Sequence, residues 1–277
     1  MLRLSRPGDE PALLALWQDA FGDPPEVVEA FWKVLYQPGD AMVWAEGDTI
    51  ASAIYLLDAG TLTLKTGETV KVAYSYALAT LSAHRGRGLG SAVARAAIGR
   101  SFDLGFSYNL IRPAEVALFP FYVQLGFTHT FPVAGGVLDC YRNITNDIMS
   151  TDFSTYLQLR RQLPPDTAVE YSPAFLRYVA RCALDSGGGL YRLVLQGQTL
   201  CAIVERRDDT LLIREILPAP LAESGAKALL AHFEAKSAVF QTVPDPLGPA
   251  VSPFLLGAAA EGAPPPPGAL YAPFVLD

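Results

Sequence analysis

The segment Lys71-Val72-Ala73-Tyr74-Ser75-Tyr76-Ala77-Leu78-Ala79-Thr80, with His84-Arg85-Gly86-Arg87-Gly88-Leu89-Gly90-Ser91 after it, decides how the rest of the chain is read. Its first part is aromatic, β-branched and small apolar, with no Gly or Pro, which predicts a buried strand. Downstream, Leu89, Val93, Ala94, Ala97, Ile98 and Phe102 recur at helical spacing, and Gly105 stands where such a helix would stop. The glycine-rich part is therefore a strand-to-helix turn at a helix N-terminus. The first helical N–H groups have no intrahelical partner, and the macrodipole places partial positive charge there. Glycines let a ligand approach the backbone closely and tolerate positive φ. Arg85 and Arg87 add charge. The guest that such a turn favours is a phosphate or diphosphate.

Two common phosphate loops do not fit. No Lys-Ser or Lys-Thr follows the glycines, as a P-loop requires. Gly86, Gly88 and Gly90 are spaced G-x-G-x-G, not the G-x-G-x-x-G of dinucleotide folds. Arg85-x-x-Gly88-x-Gly90 instead resembles the acyl-CoA diphosphate loop of the GCN5-related N-acetyltransferases (GNATs). Leu78-Ala79-Thr80 is similar to the splayed strand on which that family holds pantetheine. Phe121-Tyr122-Val123-Gln124-Leu125-Gly126-Phe127 resembles the family's F-Y-x-x-x-G-F motif. The bland alternative is a glycine turn that only caps a helix.

The resemblance covers roughly residues 1–140 and implies an α/β fold of the α+β kind, built on a mixed sheet. Its order is strand, two helices, three strands, helix, strand, helix, strand. It further implies acetyl-CoA as cofactor and direct attack on the thioester by a primary amine of a small molecule or peptide. Leu78, Ala79 and Thr80 would hold pantetheine, with an N–H near Leu78 polarising the thioester carbonyl. Arg85, Gly86, Arg87, Gly88, Leu89, Gly90 and Ser91 would take the diphosphate. Tyr122 would give the leaving thiolate its proton.

The core strand departs from a common family pattern, because no carboxylate occurs from Val72 to Thr80. Tyr74 lies about where several members place a basic Glu, and Tyr76 shares its face by alternation. Either hydroxyl could orient a water or the substrate, or both could simply pack in the cleft wall. Glu29, Glu46, Glu115 and the C-terminal Asp277 are further candidates for the base, and His84 is expected to face solvent or phosphate. The acceptor pocket is expected from the helix 26–36, the Trp44 hairpin and the 61–69 insertion, with Phe31, Trp32, Tyr36, Trp44 and Tyr55 as its aromatic surface. A non-catalytic acyl-CoA sensor would use the same loop, and a different acyl donor stays open.

With 277 residues, 51% apolar and 18% charged, the chain is globular and suggests two domains or one large one. Cys140, Cys182 and Cys201 are odd in number and far apart, which reads as reduced thiols. His84, His129 and His232 are scattered, so no metal site is expected. A net charge of −7 speaks against nucleic acid and is compatible with a cationic amine. With no long apolar run and no signal segment, no membrane partner and a cytoplasmic location are expected. A homodimer is left open.

The second half reads as a weakened copy. Gly197-Gln198-Thr199-Leu200 echoes Gly47-Asp48-Thr49-Ile50, each between apolar runs. Residues 211–217 then read as a strand and 226–238 as a helix. Between them Pro218 to Gly225 holds one glycine, no Arg and an acidic residue, a poor site for diphosphate. The expected division is a catalytic GNAT domain over 1–142, a linker over 143–154, and a degenerate GNAT-like domain over 155–277 that binds no CoA. Pro264-Pro265-Pro266-Pro267 reads as an extended spacer before a last short strand over 271–276.

Overall fold

The computed structural model describes residues 1–139, 147–162, 168–245, 249–265 and 270–272. Strand β1 (Leu2–Leu4) leads to helices α1 (Glu10–Phe21) and α2 (Pro25–Leu35). Each helix opens with a proline in its first turn, where the missing N–H costs nothing. Asp9 stands at the N-cap of α1 but makes no side-chain cap. Its carboxylate is spent on the Arg3 guanidinium at 2.6 and 2.8 Å and on the Arg6 N–H.

Three antiparallel strands follow: β2 (Ala41–Glu46), β3 (Thr49–Thr63) and β4 (Thr69–Thr80). The 61–69 segment is no separate insertion. It is the far end of one long hairpin, paired to Thr63↔Thr69, because Leu62, Leu64 and Val70 alternate into the core. Helix α3 (Leu89–Asp103) and strand β5 (Tyr108–Ile111) come next, with β5 parallel to β4. Helix α4 (Phe119–Leu125) starts five residues later than the expected Ala114, after a 3-10 turn at Val116–Leu118. One strand, β6 (His129–Asp139), occupies the expected closing region.

The second half repeats this order. It runs β7 (Asp147–Ser150), α5 (Phe153–Gln162), the two-residue β8 (Glu170–Tyr171), α6 (Pro173–Asp185), β9 (Gly189–Leu195), β10 (Gln198–Arg207), β11 (Thr210–Leu217), α7 (Ala222–His232) and β12 (Ser237–Thr242). Strands β9, β10 and β11 are antiparallel and β12 is parallel to β11, as β2 to β5 are arranged in the first half. The expected helix over 226–238 ends at His232. Glu234 takes a positive φ of 51°, which breaks the helix, and Ala238, Phe240 and Thr242 then alternate inward as a strand. Inside the expected linker, Asp147–Ser150 is strand β7, paired to β9, and α5 begins at Phe153. Of the expected last strand only Tyr271 and Ala272 are placed, Tyr271 bridged to Ala168; 273–276 lie outside the described residues, as do Cys140 and Asp277.

The last strand, β13 (Val251–Ala259), does not stay with its own half. It lies between β5 and β6, antiparallel to both, while β6 pairs on its other side with β12. The central order is thus β5-β13-β6-β12, and the described strands form a single 13-stranded sheet. Each half hands its final strand to the seam. Gly135 permits the close crossing of β6 on β12, since a Cβ there would lie 2.1 Å from the Phe240 carbonyl oxygen.

The two faces of the sheet follow from strand alternation. On one face a core joins both halves, with Leu16, Phe31 and Tyr74 from the first and Tyr156, Phe175 and Ile203 from the second. On the other face α3 and α4 cover the first half and α7 covers the second. No helix among the described residues is long and apolar enough to cross a membrane.

Candidate active site

Strand β4 has two parts. From Val72 to Ser75 it pairs with β5, the last pair being Ser75↔Ile111. Beyond that point β4 runs on to Thr80 bonded only to β3. The register between β3 and β4 shifts here: Tyr55 faces Tyr76, but Ala53 faces Ala79, so β4 carries one extra residue. Ala77 takes a φ of +51°, the left-handed region. This bulge bends β4 away from β5 and reverses which face its side chains meet. Tyr74 and Tyr76 face the α1 and α2 side, whereas Leu78, beyond the bulge, packs with the α3 side. The edge of β4 from Tyr76 to Thr80 therefore lines an open wedge between the two strands.

At the mouth of the wedge the chain makes one 3-10 turn, Ser82–His84, and enters α3. Ser82 is tied to α1, its N–H and hydroxyl both donating to Asp19 at 2.7 and 2.9 Å. Gly86 and Gly88 take φ values of +75° and +76°, and a Cβ on either would meet open space. Gly88 is the N-cap of α3 and makes no side-chain cap. Among the described residues no side chain accepts from the N–H groups of residues 86–91. Gly90 packs closely: a Cβ there would approach Thr80 Oγ1 to 3.1 Å. Thr80 is itself fixed by Ser52 at 2.9 Å, and Arg85 Nε donates to the Thr80 carbonyl at 3.2 Å. The loop is thus held from behind while its amides stay open.

Glu46, one of the candidate bases, sits beside this loop. It accepts from Arg87 at 2.6 Å, lies 3.5 Å from His84 Nε2 and receives the Trp44 indole N–H. The Arg87 guanidinium holds its carboxyl below the usual range. Trp44 packs on the α3 side, away from Phe31 and Tyr55, so it does not belong to the aromatic surface expected for the acceptor. Glu29 and Glu115 are exposed. The 61–69 hairpin end lies seven residues along β4 from Tyr76, about 23 Å at about 3.3 Å per residue, too far to line the wedge.

The tyrosines divide by environment. Tyr74 and Tyr76 stack at 6.1 Å on one face of β4. Burial pushes both hydroxyls far above the ordinary phenol range; Arg112 pulls the other way at Tyr74. Both therefore stay neutral, able to donate or orient but not to take a proton from an ammonium. Tyr122 lies on α4, 8% exposed, and burial pushes its hydroxyl up to about 12. The Gly126-Phe127 pair after it forms a helix stop. Gly126 at φ +117° sends its N–H to Val123 O, and Phe127 N–H bonds Tyr122 O at 3.2 Å. Phe127 is wholly buried against Tyr122. The motif F-Y-x-x-x-G-F is thus a capped helix end that locks Tyr122 in place.

Residues 1–130 match the family model described as "Acetyltransferase (GNAT) domain". The first half of the chain is a GNAT domain. Solved structures extend the likeness to the second half as a likeness of fold. A probable N-acyltransferase from Enterococcus faecalis V583 aligns with TM-score 0.70 and 15% identity over 94% of this chain and 72% of its own. A GCN5-related N-acetyltransferase from Kribbella flavida gives 0.65 and 17% over 94% and 72%. Eis1 from Mycobacterium abscessus gives 0.62 and 14% over 94% and 73%. No curated protein matches.

In the second GNAT-like half the corresponding wedge is closed. Strand β11 also leaves β12 after one short parallel run, ending at Ile213↔Phe240, and also carries an extra residue opposite Ile203/Val204. There Thr242 Oγ1 donates across to Ile216 O at 2.6 Å, wholly buried. Beneath it Glu215 is fully buried, accepting from Tyr156 at 2.6 Å and Arg160 at 3.0 Å. The turn before α7 is Pro218–Leu221, and Glu223 occupies the first turn of the helix.

Proposed function

We propose that this protein is an N-acetyltransferase that moves an acetyl group from acetyl-CoA to a primary amine of a small molecule or peptide. The observation that carries the reading is the row of open amides over 86–91, set at the mouth of the wedge where β4 leaves β5. A diphosphate fits such a row at a helix N-terminus. Leu78, Ala79 and Thr80, on the edge of β4 without a β5 partner, would then hydrogen-bond the pantetheine arm. In this reading Tyr122 protonates the leaving thiolate, and Tyr74 and Tyr76 orient the acceptor. The closed wedge in the second half supports one CoA site per chain, with the second domain degenerate. Cys182 and Cys201 are free thiols, which suits a cytoplasmic setting.

A non-catalytic acyl-CoA sensor is favoured by one feature, the lack of a carboxylate on β4. One measurement tests the loop that both readings need, and a second separates them. Calorimetry with CoA should show saturable binding that Gly88→Val reduces at least tenfold, since the side chain both strains the positive φ and stands where the diphosphate must come. Equal affinity in both proteins would overturn the loop assignment. Thiol release from acetyl-CoA over a panel of amines should show turnover; tight CoA binding with no turnover on any amine would leave the sensor.

A further inference from the structure

Strand β3 has a gap along its β2 edge. The β2–β3 ladder ends at Ala41↔Tyr55, and β8, from the second half, joins only at Gly60↔Tyr171. In between, Leu56 and Asp58 turn their backbone groups toward that edge. Leu56 N–H donates to Asp40 O at 2.7 Å, and Asp58 O accepts from Ser172 Oγ at 2.9 Å. By strand alternation Leu56 O and Asp58 N–H face the same way, and neither has a partner among the described residues. The Asp40 N–H, which could reach Leu56 O, closes a turn onto Gln37 O instead. The Asp58 carboxylate turns forward and accepts from Gly60 N–H at 2.9 Å.

The gap opens into a cleft of about 470 Å³, within the range of small-ligand sites. Its walls come from both halves: Val34 and Leu35 end α2, Leu57 belongs to β3, and Ala174 and Arg177 lie at the start of α6. Asp40 is half-buried there. One of its carboxylate oxygens accepts from Gln37 N–H at 2.8 Å, and it makes no ion pair among the described residues. Burial pushes its carboxyl up against the pull of that N–H, so a cation beside it offsets the cost of its charge. Arg177 stands exposed at the rim, its guanidinium 6.0 Å from the Phe153 ring, also without an ion pair among the described residues. The cleft is separate from the CoA wedge. It lies on the β2 side of β3, whereas the wedge lies on the far edge of β4.

We propose that this cleft binds a free α-amino acid with an aliphatic side chain, laid along the β3 edge between the two halves. A residue paired parallel to a strand donates its N–H to the carbonyl before its partner and accepts from the N–H after it. Opposite Leu57, those two groups are Leu56 O and Asp58 N–H. The ligand's ammonium then lies at Leu56 O, on the side where Asp40 meets the strand. Its carboxylate lies at Asp58 N–H, on the side where Ser172 and α6 meet the strand, with Arg177 as the opposite charge. Val34, Leu35 and Leu57 take the side chain. A simple cation would leave Arg177 unused, and a simple anion would face Asp40; a zwitterion satisfies both. The inference does not rest on the acetyltransfer reading. A ligand here touches α2 and α6 together, the helices that also bring Phe31 against Tyr178.

The test titrates the full chain with leucine in the absence of CoA. Calorimetry should show saturable binding. Leucinamide lacks the carboxylate, N-acetylleucine lacks the ammonium and glycine lacks the side chain, and each should bind at least about tenfold more weakly. Asp40→Asn should cost about tenfold in leucine affinity, and the rim variant Arg177→Gln about two- to fivefold. Hydrogen exchange locates the site: leucine should protect residues 54–60, where the Asp58 amide stands open, and leave 74–80 and 86–91 unchanged. CoA affinity should be equal in wild type and both variants, so failure of either reading leaves the other standing. Absence of saturable leucine binding would overturn the proposal, and so would leucinamide or N-acetylleucine binding as tightly as leucine. Leucine affinity unchanged in both variants, or protection over 74–80 in place of 54–60, would put the amino acid elsewhere and overturn it as well.

Discussion

Tyr122 is held by a backbone cap, not by its hydroxyl, so its chemistry can be tested without disturbing its position. Tyr122→Phe should lower kcat by about 100-fold or more and leave CoA affinity within twofold. Its hydroxyl is pushed up to about 12 by burial, so it keeps its proton through the whole working range. The rate profile should accordingly show no alkaline limb from Tyr122 below pH 11 or so. Linkage gives the matching stability trend. An unfolded tyrosine ionises near 10.0 and the folded one near 12, so Tyr122's contribution is complete below pH 10 and is lost as pH rises toward 12. A pH series of urea melts checks the sign. Glu46 offers a second test at this scale. Its pairing with Arg87 spends a positive charge that the loop would otherwise offer to phosphate. Glu46→Gln should tighten CoA binding about two- to fivefold at low salt, and the gain should fade as salt rises, because both groups are partly exposed. Weaker binding would mean that Glu46 positions the loop instead.

The element that binds the halves together is β13. Its Leu256 and Ala258 belong to the core under α3 and α4, and the strand covers the whole length of β5. A chain that stops at residue 142 would leave the β5 edge bare and that core without those side chains. Losing one buried leucine costs about 2–5 kcal/mol, and an open edge invites pairing with other chains. The 1–142 fragment should therefore aggregate or melt without cooperativity, as read by size-exclusion chromatography and circular dichroism. Supplying 143–277 in the same solution should restore a cooperative transition. A stable, monomeric 1–142 fragment would show that the first half closes its own sheet. The same exchange explains why β13 escaped the sequence. Val251-Ser252-Pro253 interrupts the apolar pattern, and the register slips between Pro253 and Leu255 to accommodate it. The strand became a strand only because β5 and β6 stand on either side of it.

At the scale of the molecule, two copies of one plan share a sheet and a core, but only one keeps its wedge open. In the first half, residues 86–91 present free amides; in the second, Thr242 bridges the strands and Glu215 fills the space below with its own ion pair. Calorimetry should give one CoA per chain of 277 residues. A stoichiometry of two would mean that the second wedge opens in solution. The second half nevertheless reaches the first site. Helix α6 lays Tyr178 against Phe31 and Phe175 against Tyr74, so the α1 and α2 side of β4 is walled by both halves.

The sequence by itself determined the turn, the helix after it and the capped Tyr122, because each depends on a few neighbouring residues: glycines that accept positive φ, helical spacing and a Gly-Phe stop. It also marked the second copy of the hairpin through Gly197-Gln198-Thr199-Leu200. Only the tertiary structure decided that Trp44 and Glu46 serve the loop side, that the 61–69 hairpin end lies far from the wedge, and that β13 sits between β5 and β6. A bulge at Ala77 reverses the face of every later side chain on β4, and strand partners distant in sequence are chosen by edge pairing, which leaves no trace in local periodicity.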